Sequence, residues 1–526
     1  MERDVLAART HHAGNHVFDA GTSITHVFHG AFCSRVGRQV TLLLFSILCS
    51  IWATGCATNP ATGKNQLSLY GEAQEVEIGR SSDPQIVQQY GLYDDPELAA
   101  YVDRVGQDLA AASERPNLPW TFRVLDDPVV NAFALPGGYI YVTRGILGHM
   151  KSEAELAAVL GHEIGHVTAR HGVNRMSKAQ LANIGLGVGA ILAPEVARSV
   201  GGLAQQGMQL LFLKYSRDDE RQADALGFRY VDVTGTNPQA FTDVFTMLAA
   251  SSGGAEGARL PAYLATHPDP LARRDTARQH LATLPAETLD RPWHRDRFFD
   301  RLDGLTYGPN PQEGFFEGRD FVHPGLGLRI ELPEGWTGHN QKSALIAVSP
   351  NQDAYFQLSL AGESSVDEAA RKFYNQESVS VRSSWRDDDP DIPLQSTRLF
   401  SAGSGEIYGA AGFVSMGGGV LRALAYSKAQ VWKNYENAVE STLRSFGTLK
   451  GAKYRNIKPM RIELVPLKKD MTLEEFQRRY PSTVDMKRLG LVNHAAPDTV
   501  LKAGTRAKRI RGFDAGPQMG VELTDR

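Results

Sequence analysis

The sequence predicts an α+β chain: a mainly helical first part around a small sheet, then an α+β domain of antiparallel strands with helices, then a small C-terminal α+β module. Three observations predict it. Residues 72–283 are dominated by Ala-, Leu- and Glu-rich stretches, broken by two short β-branched and aromatic runs. From Phe321 the texture changes to alternating apolar and polar residues punctuated by Gly and Pro. From Lys458 a strand pattern leads into a helix start capped by Thr472 with Glu475.

With 526 residues the chain has room for two to four domains. Its 42% hydrophobic and 22% charged content is ordinary for globular protein, and a net charge of −3 argues against nucleic acid as a partner. Cys33, Cys49 and Cys56 all lie near the N-terminus. The body therefore folds without disulfides and offers no thiolate to a metal.

Residues 1–56 read as leader and signal. His11, His12, His16, His26 and His29 could form a metal-binding tract, but the stretch reads better as preceding the native start, placed near Val36. Arg35 and Arg38 precede the apolar run Val40–Trp52, an n-region and h-region too short for a membrane span. Ala53-Thr54-Gly55-Cys56 resembles a bacterial lipobox, which implies acylation of Cys56 and a body anchored to a membrane rather than spanning it. Ala57, not Asp, follows, which implies the outer membrane. Residues 57–71 read as a tether.

Glu72–Gly79 and Pro96–Ala112 are expected as helices, Trp120–Leu125 and Tyr139–Thr143 as strands, with Pro136-Gly137-Gly138 turning into the second. Tyr139–Thr143 is expected at the sheet edge, where a substrate peptide could lie extended. The Gly-studded apolar stretch Leu181–Ala193 and the helix Gly201–Leu213 are expected to pack near the site, as core or as a lid. Further helices are expected over 215–230, 238–250 and 270–282. Residues 284–318 read as a linker, 319–450 as the α+β domain, 451–511 as the C-terminal module and 512–526 as a disordered tail.

The chemistry concentrates in His162-Glu163-Ile164-Gly165-His166. Ser152 and Glu155 read as a capping box that starts the helix carrying it. Residues four apart share a helix face, so both imidazoles can bind one metal, and Glu163 can serve as general base. Zinc suits the site, since it takes neutral imidazole and keeps a position open for water. A third ligand is needed. Glu220 and Asp224, again four apart, are the candidates: one can bind metal while the other holds a ligand His from behind.

The pattern H-E-x-G-H followed by S-R-x-x-E-x-x-A-D, with Asn131–Gly138 and Thr266-His267-Pro268, resembles the gluzincin family that contains the CAAX prenyl proteases, the HtpX heat-shock proteases and the periplasmic BepA-type proteases. The likeness runs from about Leu67 to Leu281. It implies a zincin-type peptidase domain with one zinc ion on His162, His166 and Glu220, Glu163 as catalytic base, and Asp224 behind the ligands or as proton donor. It also implies that His267 approaches the zinc, to stabilise the oxyanion or to occupy the open position at rest, with Arg273 as a partner. The other histidines, His149, His171 and His280 among them, are assigned ordinary structural roles. Residues 319–450 resemble PsbP-like domains, and 451–511 resemble a degenerate LysM module, which implies contact with peptidoglycan.

These readings together imply a zinc-dependent endopeptidase of the bacterial cell envelope, on the periplasmic side as an outer-membrane lipoprotein. Its substrates would be misfolded or unassembled envelope proteins, and an outer-membrane assembly partner could bind the C-terminal domains. Two rivals are a lipid-anchored chaperone or assembly scaffold with a structural metal site, and a hydrolase of cell-wall peptides. Glu163 speaks against the first, because a structural site needs no base.

Overall fold

The computed structural model of the chain describes residues 56–186, 210, 214–252, 262–384, 393–450, 452–516 and 519–520. The leader, the apolar run and the lipobox up to Gly55 lie outside the described residues, as do 187–209 and 211–213 of the expected lid segment and 517–518 and 521–526 of the tail. The chain forms two units. In the first, Cys56–Thr58 pairs antiparallel with Asn65–Leu67, so the stretch read as a tether contains a strand. The second unit holds Asn59–Lys64 and everything from Tyr70 onward. Among the described residues no helix is long and apolar enough to cross a membrane.

The second unit opens with helices α1 (Glu72–Tyr90) and α2 (Pro96–Ala111). α1 runs well beyond Gly79, through Pro84, and ends at Gly91, whose positive φ of 72° is a glycine conformation. Strands β1 (Thr121–Leu125), β2 (Ala132–Leu135) and β3 (Tyr139–Thr143) form a sheet in the order β1-β3-β2. β3 is parallel to β1 and antiparallel to β2. Tyr139–Thr143 is therefore the central strand, not the edge. The tight turn at Gly137 and Gly138 (φ 82° and 98°) folds β2 back onto it, and β1 takes its other side. Alternation in the sequence reports a strand but not its neighbours.

Helices α3 (Arg144–His149), α4 (Glu153–Thr168) and α5 (His171–Leu186) follow, then α6 (Arg217–Val233), α7 (Ala240–Ser252), α8 (Ala262–Thr266) and α9 (Pro270–Leu281). Residues 284–318, read as a linker from their charge and Pro/Gly content, contain α10 (Arg295–Leu302). Its Phe298, Phe299 and Leu302 enter the same core as Leu98, Val102, Leu160 and Ile164. The charged residues of that helix cover its outer face, which is why composition hid it.

From Phe315 the chain turns to sheet. Strands β4 (Phe315–Glu317), β5 (Asp320–His323) and β6 (Leu328–Glu331) join the short strand Gly447–Thr448 in a four-stranded sheet. β7 (Thr337–Asn340), β8 (Ala344–Val348), β9 (Ala354–Leu360), β10 (Val379–Ser384), β11 (Gln395–Ala402), β12 (Ile407–Met416) and β13 (Gly419–Lys428) form an eight-stranded sheet with Met519–Gly520, in the order β10-β11-β12-β13-β9-β8-β7 and then the C-terminal strand. Helices α11 (Val366–Tyr374) and α12 (Glu436–Arg444) pack on it. The β12–β13 hairpin turns at Gly417 and Gly418, both with positive φ.

The last segment runs β14 (Arg461–Pro466), α13 (Leu473–Arg479), α14 (Met486–Asn493) and β15 (Arg506–Arg511), with β14 and β15 antiparallel. Its apolar residues do not form a separate core. Met460, Ile462, Leu473, Phe476, Leu489 and Ile510 belong to one cluster with α2, α4, α7 and α10. Lys508 of β15 is fully buried and donates from Nζ to Gly148 O (2.8 Å) and Met150 O, the carbonyls where α3 ends. The chain thus returns, after the sheet domain, to close over the residues that lead into α4.

Candidate metal centre

α4 starts at Ser152, whose Oγ accepts the Glu155 amide at 3.2 Å. Glu155 gives its carboxylate to the amide of Lys151 (2.8 Å) rather than to that of Ser152, one residue off a regular capping box. Every residue of the helix is buried. Gly165 allows α6 to cross closely: a Cβ there would stand 2.8 Å from Ala223 O and 3.0 Å from Ala223 Cα. α6 begins at Ser216, whose Oγ accepts Asp219 N at 3.2 Å while Asp219 Oδ2 accepts Ser216 N at 3.1 Å. Glu220 then falls in the first turn of α6, against the inner face of α4.

This crossing brings the expected groups together. His162 Nε2 and His166 Nε2 are 3.0 Å apart. Glu220 Oε1 lies 3.4 Å from His166 Nε2, and Oε2 lies 3.6 Å from His162 Nε2. His267 Nδ1 stands 3.3 Å from His162 Nε2 and 2.9 Å from Glu220 Oε1. Four ligand atoms on a tetrahedral zinc ion would stand about 3.3 Å apart. The four groups fit such an ion, with His267 at the fourth corner. Glu163 reaches the same space: its Oε1 is 3.6 Å from His267 Nε2, and neither carboxylate oxygen of this buried residue has a hydrogen-bond partner. A buried carboxylate left so marks a place for a ligand or substrate group.

The surrounding residues fix the imidazoles. Asp224 Oδ1 accepts a hydrogen bond from His162 Nδ1–H at 2.8 Å, which leaves Nε2 with its lone pair inward. Arg273 binds Asp224 through Nε (2.9 Å) and Nη2 (2.6 Å) and Glu220 Oε2 through Nη1 (2.7 Å). His171 Nε2 donates to Gln222 Oε1 (3.0 Å), so its Nδ1 can accept from His166 Nδ1 (2.9 Å) and turn His166 Nε2 inward as well. Tyr215 stacks on His166 with ring centroids 3.7 Å apart, and Tyr263 stacks on His267 at 4.3 Å.

Electrostatics agree with this arrangement. Burial lowers the pKa of His166 and of His171, keeping both neutral, the form that binds metal. Burial would raise Glu220, but the nearby His267 and Arg273 outweigh it and hold the carboxyl well below its usual range. Burial raises Glu163, with the Glu220 charge adding to that, against the pull of His267 and His162.

Of the residues singled out in the sequence, His162, Glu163, His166, Glu220 and His267 line one site, and Asp224 and Arg273 stand behind it. His171 was assigned an ordinary structural role but holds His166 from behind. It follows the left-handed turn at Arg170 (φ 61°), so helix periodicity could not place it. Tyr215 and Tyr263 carried no signal beyond lying next to motif residues. A cavity of about 660 Å³ opens beside Asp224 and Arg273, but Glu163, His162 and His166 do not line it.

Residues 96–280 match the profile of peptidase family M48. A Vibrio cholerae protein named as a beta-barrel assembly-enhancing protease is 32% identical over 252 residues, 46% of this chain and 50% of that protein. The beta-barrel assembly-enhancing protease of Escherichia coli K12 is 29% identical over 254 residues, 46% of this chain and 51% of the relative. The mitochondrial metalloendopeptidase OMA1 of Arabidopsis thaliana is 30% identical over 215 residues, 41% of each chain. The chain spans about half the length, or less, of these curated relatives.

Proposed function

Because residues 96–280 match the profile of peptidase family M48, we propose that the chain is a zinc-dependent metalloendopeptidase that cleaves misfolded or unassembled proteins of the bacterial cell envelope. The observation that carries this reading is the convergence of His162, His166, Glu220 and His267 within 4.8 Å of one another, with unpaired Glu163 beside them.

His162 and His166 would hold the ion through Nε2, and Glu220 would hold it through its carboxylate. Zinc, when bound, supplies a Lewis acid that polarises the scissile carbonyl and makes water a nucleophile near neutral pH. Glu163 takes the proton of the attacking water and passes it to the leaving amine. Its raised pKa suits a group that is base first and acid second. Asp224, His171 and Arg273 orient the ligands and do not touch the reacting atoms. His267, 3.3 Å from His162 Nε2, would take the remaining ligand position at rest and would have to withdraw for substrate to enter. A peptide lying along the small sheet would use an outer strand, β2 being the one beside α4, since β3 is covered on both sides.

The relatives named for beta-barrel assembly support envelope proteins as substrates and a periplasmic location. Acylation of Cys56, an outer-membrane anchor, the division into peptidase (72–283), PsbP-like (319–450) and LysM-like (451–511) parts, and contact with peptidoglycan or an assembly partner complete the proposal.

The test is casein cleavage by the zinc-loaded protein beside Glu163→Gln at equal zinc content. Cleavage by the parent, with a loss of about a thousandfold or more in the variant, is the expected result. If the two cleave equally, Glu163 is not the base and the reading fails. If neither cleaves, His267→Ala decides: cleavage by that variant means a latched peptidase, and continued inactivity means a scaffold.

A further inference from the structure

Away from the candidate centre, Glu155, Asp243 and His494 bring one ligand atom each within 4.8 Å of one another. They come from three elements distant in sequence. Glu155 lies in the first turn of α4, Asp243 in the first turn of α7, and His494 caps the C-terminus of α14 in a left-handed conformation (φ 49°, ψ 48°). We propose that these three side chains form a second metal site, which takes a divalent first-row cation such as Zn²⁺ and clamps the C-terminal segment to the helix that carries His162 and His166.

Two observations besides proximity point to a ligand. Glu155 is fully buried, and its Oε1 has no hydrogen-bond partner, because Oε2 alone serves Lys151 N. A buried carboxylate oxygen is ordinarily satisfied. His494 donates Nε2–H to His149 O at 2.6 Å, which fixes its tautomer and leaves the Nδ1 lone pair for a ligand. Burial raises the carboxyl of Glu155 to about 7 and raises that of Asp243, so a cation held between them would offset the cost of burying their charge, and the helix C-terminus at His494 favours a cation there. One imidazole with two carboxylates is a donor set for zinc or a neighbouring divalent ion, not for a thiophilic one.

Other charges face the site. Lys151 and Lys508 both act on Glu155, but Lys508 commits its Nζ to the Gly148 and Met150 carbonyls. Arg295 and Lys151 act on Asp243. None of these cations supplies the missing partner of Glu155 Oε1.

The experiment measures zinc per chain after equilibration with Zn²⁺ and desalting, in four proteins: parent, His162→Ala/His166→Ala, His494→Asn, and Asp243→Asn. Asn tolerates the left-handed backbone at 494, and Asp243 is only half-buried, so neither single change threatens the fold as a change at Glu155 would. The expected result is loss of one equivalent in His494→Asn and in Asp243→Asn. The His162→Ala/His166→Ala protein should keep that equivalent, and zinc should raise its melting temperature. Reading differences between variants keeps any zinc on the N-terminal histidines out of the result. Equal zinc content in parent, His494→Asn and Asp243→Asn overturns the proposal. So does a melting temperature of the His162→Ala/His166→Ala protein that zinc does not move. Neither readout depends on peptidase activity, so the proposed function and this site can fail separately.

Discussion

Asp224 and Arg273 show how much of a candidate metal centre can lie behind the groups that would bind the ion. Asp224 accepts from His162 Nδ1, and Arg273 joins Asp224 to Glu220. Groups of this kind set ligand orientation, and losing one typically costs 10–100-fold in metal affinity. Asp224→Asn should therefore weaken zinc binding by about 10–100-fold, read by competition with a chromogenic chelator; unchanged affinity would remove Asp224 from that role. A second residue-scale effect lies far from the centre, at His323. Its Nδ1 accepts the Leu326 amide at 3.1 Å, and burial lowers its pKa from 6.5 to about 4. The folded state thus holds fewer protons than the unfolded one between these values. The contribution is complete above pH 6.5 and is lost as pH falls through about 4. His323→Asn keeps a capping acceptor without the titration. Urea melts at pH 7 and pH 4.5 should show the parent losing more stability than the variant, by on the order of 2 kcal/mol; parallel losses would contradict it.

At the scale of elements, the decisive feature is the crossing of α4 and α6. Neither helix alone makes the site. His162 and His166 come from one, Glu220 from the other, and the spacing depends on Gly165 facing Ala223. Gly165→Ala keeps a good helix former but pushes against backbone. The expected outcome is a loss of about 1–3 kcal/mol in urea unfolding together with reduced zinc content, because Glu220 moves with α6. A variant that keeps both would mean that the crossing has slack. The small sheet teaches a related lesson. β3 looks like a free strand in one dimension, but its two neighbours are set by a turn at Gly137-Gly138 and by a parallel partner eighteen positions upstream.

At the scale of the molecule, the C-terminal segment is part of the core built around α2, α4, α7 and α10. Met460, Ile462, Phe476 and Ile510 pack in one cluster with Leu98, Leu160 and Phe298, and Lys508 seals the end of α3. A chain ending at Lys450 would expose this apolar surface. It should melt at lower temperature than the full chain or fail to fold, as read by calorimetry and size exclusion. An unchanged melting temperature would mean that the segment adds nothing to the core.

The sequence by itself determined most of the longer helices, a minority of the strands and which groups converge at the candidate centre. His162, Glu163, His166, Glu220 and His267 were legible because short-range rules apply to them: four-residue spacing on a helix, a Ser cap before an acidic turn, a family pattern in near-contiguous runs. The tertiary structure alone decided what depends on partners distant in sequence. It placed His171 behind His166 after a left-handed turn, made β3 central, and put Phe298 and Phe299 of a supposed linker into the core. It also set Glu155, Asp243 and His494 beside one another. Local propensity acts over a few residues, whereas each of these features arises from burial shared between segments tens to hundreds of positions apart, which no periodicity along the chain records.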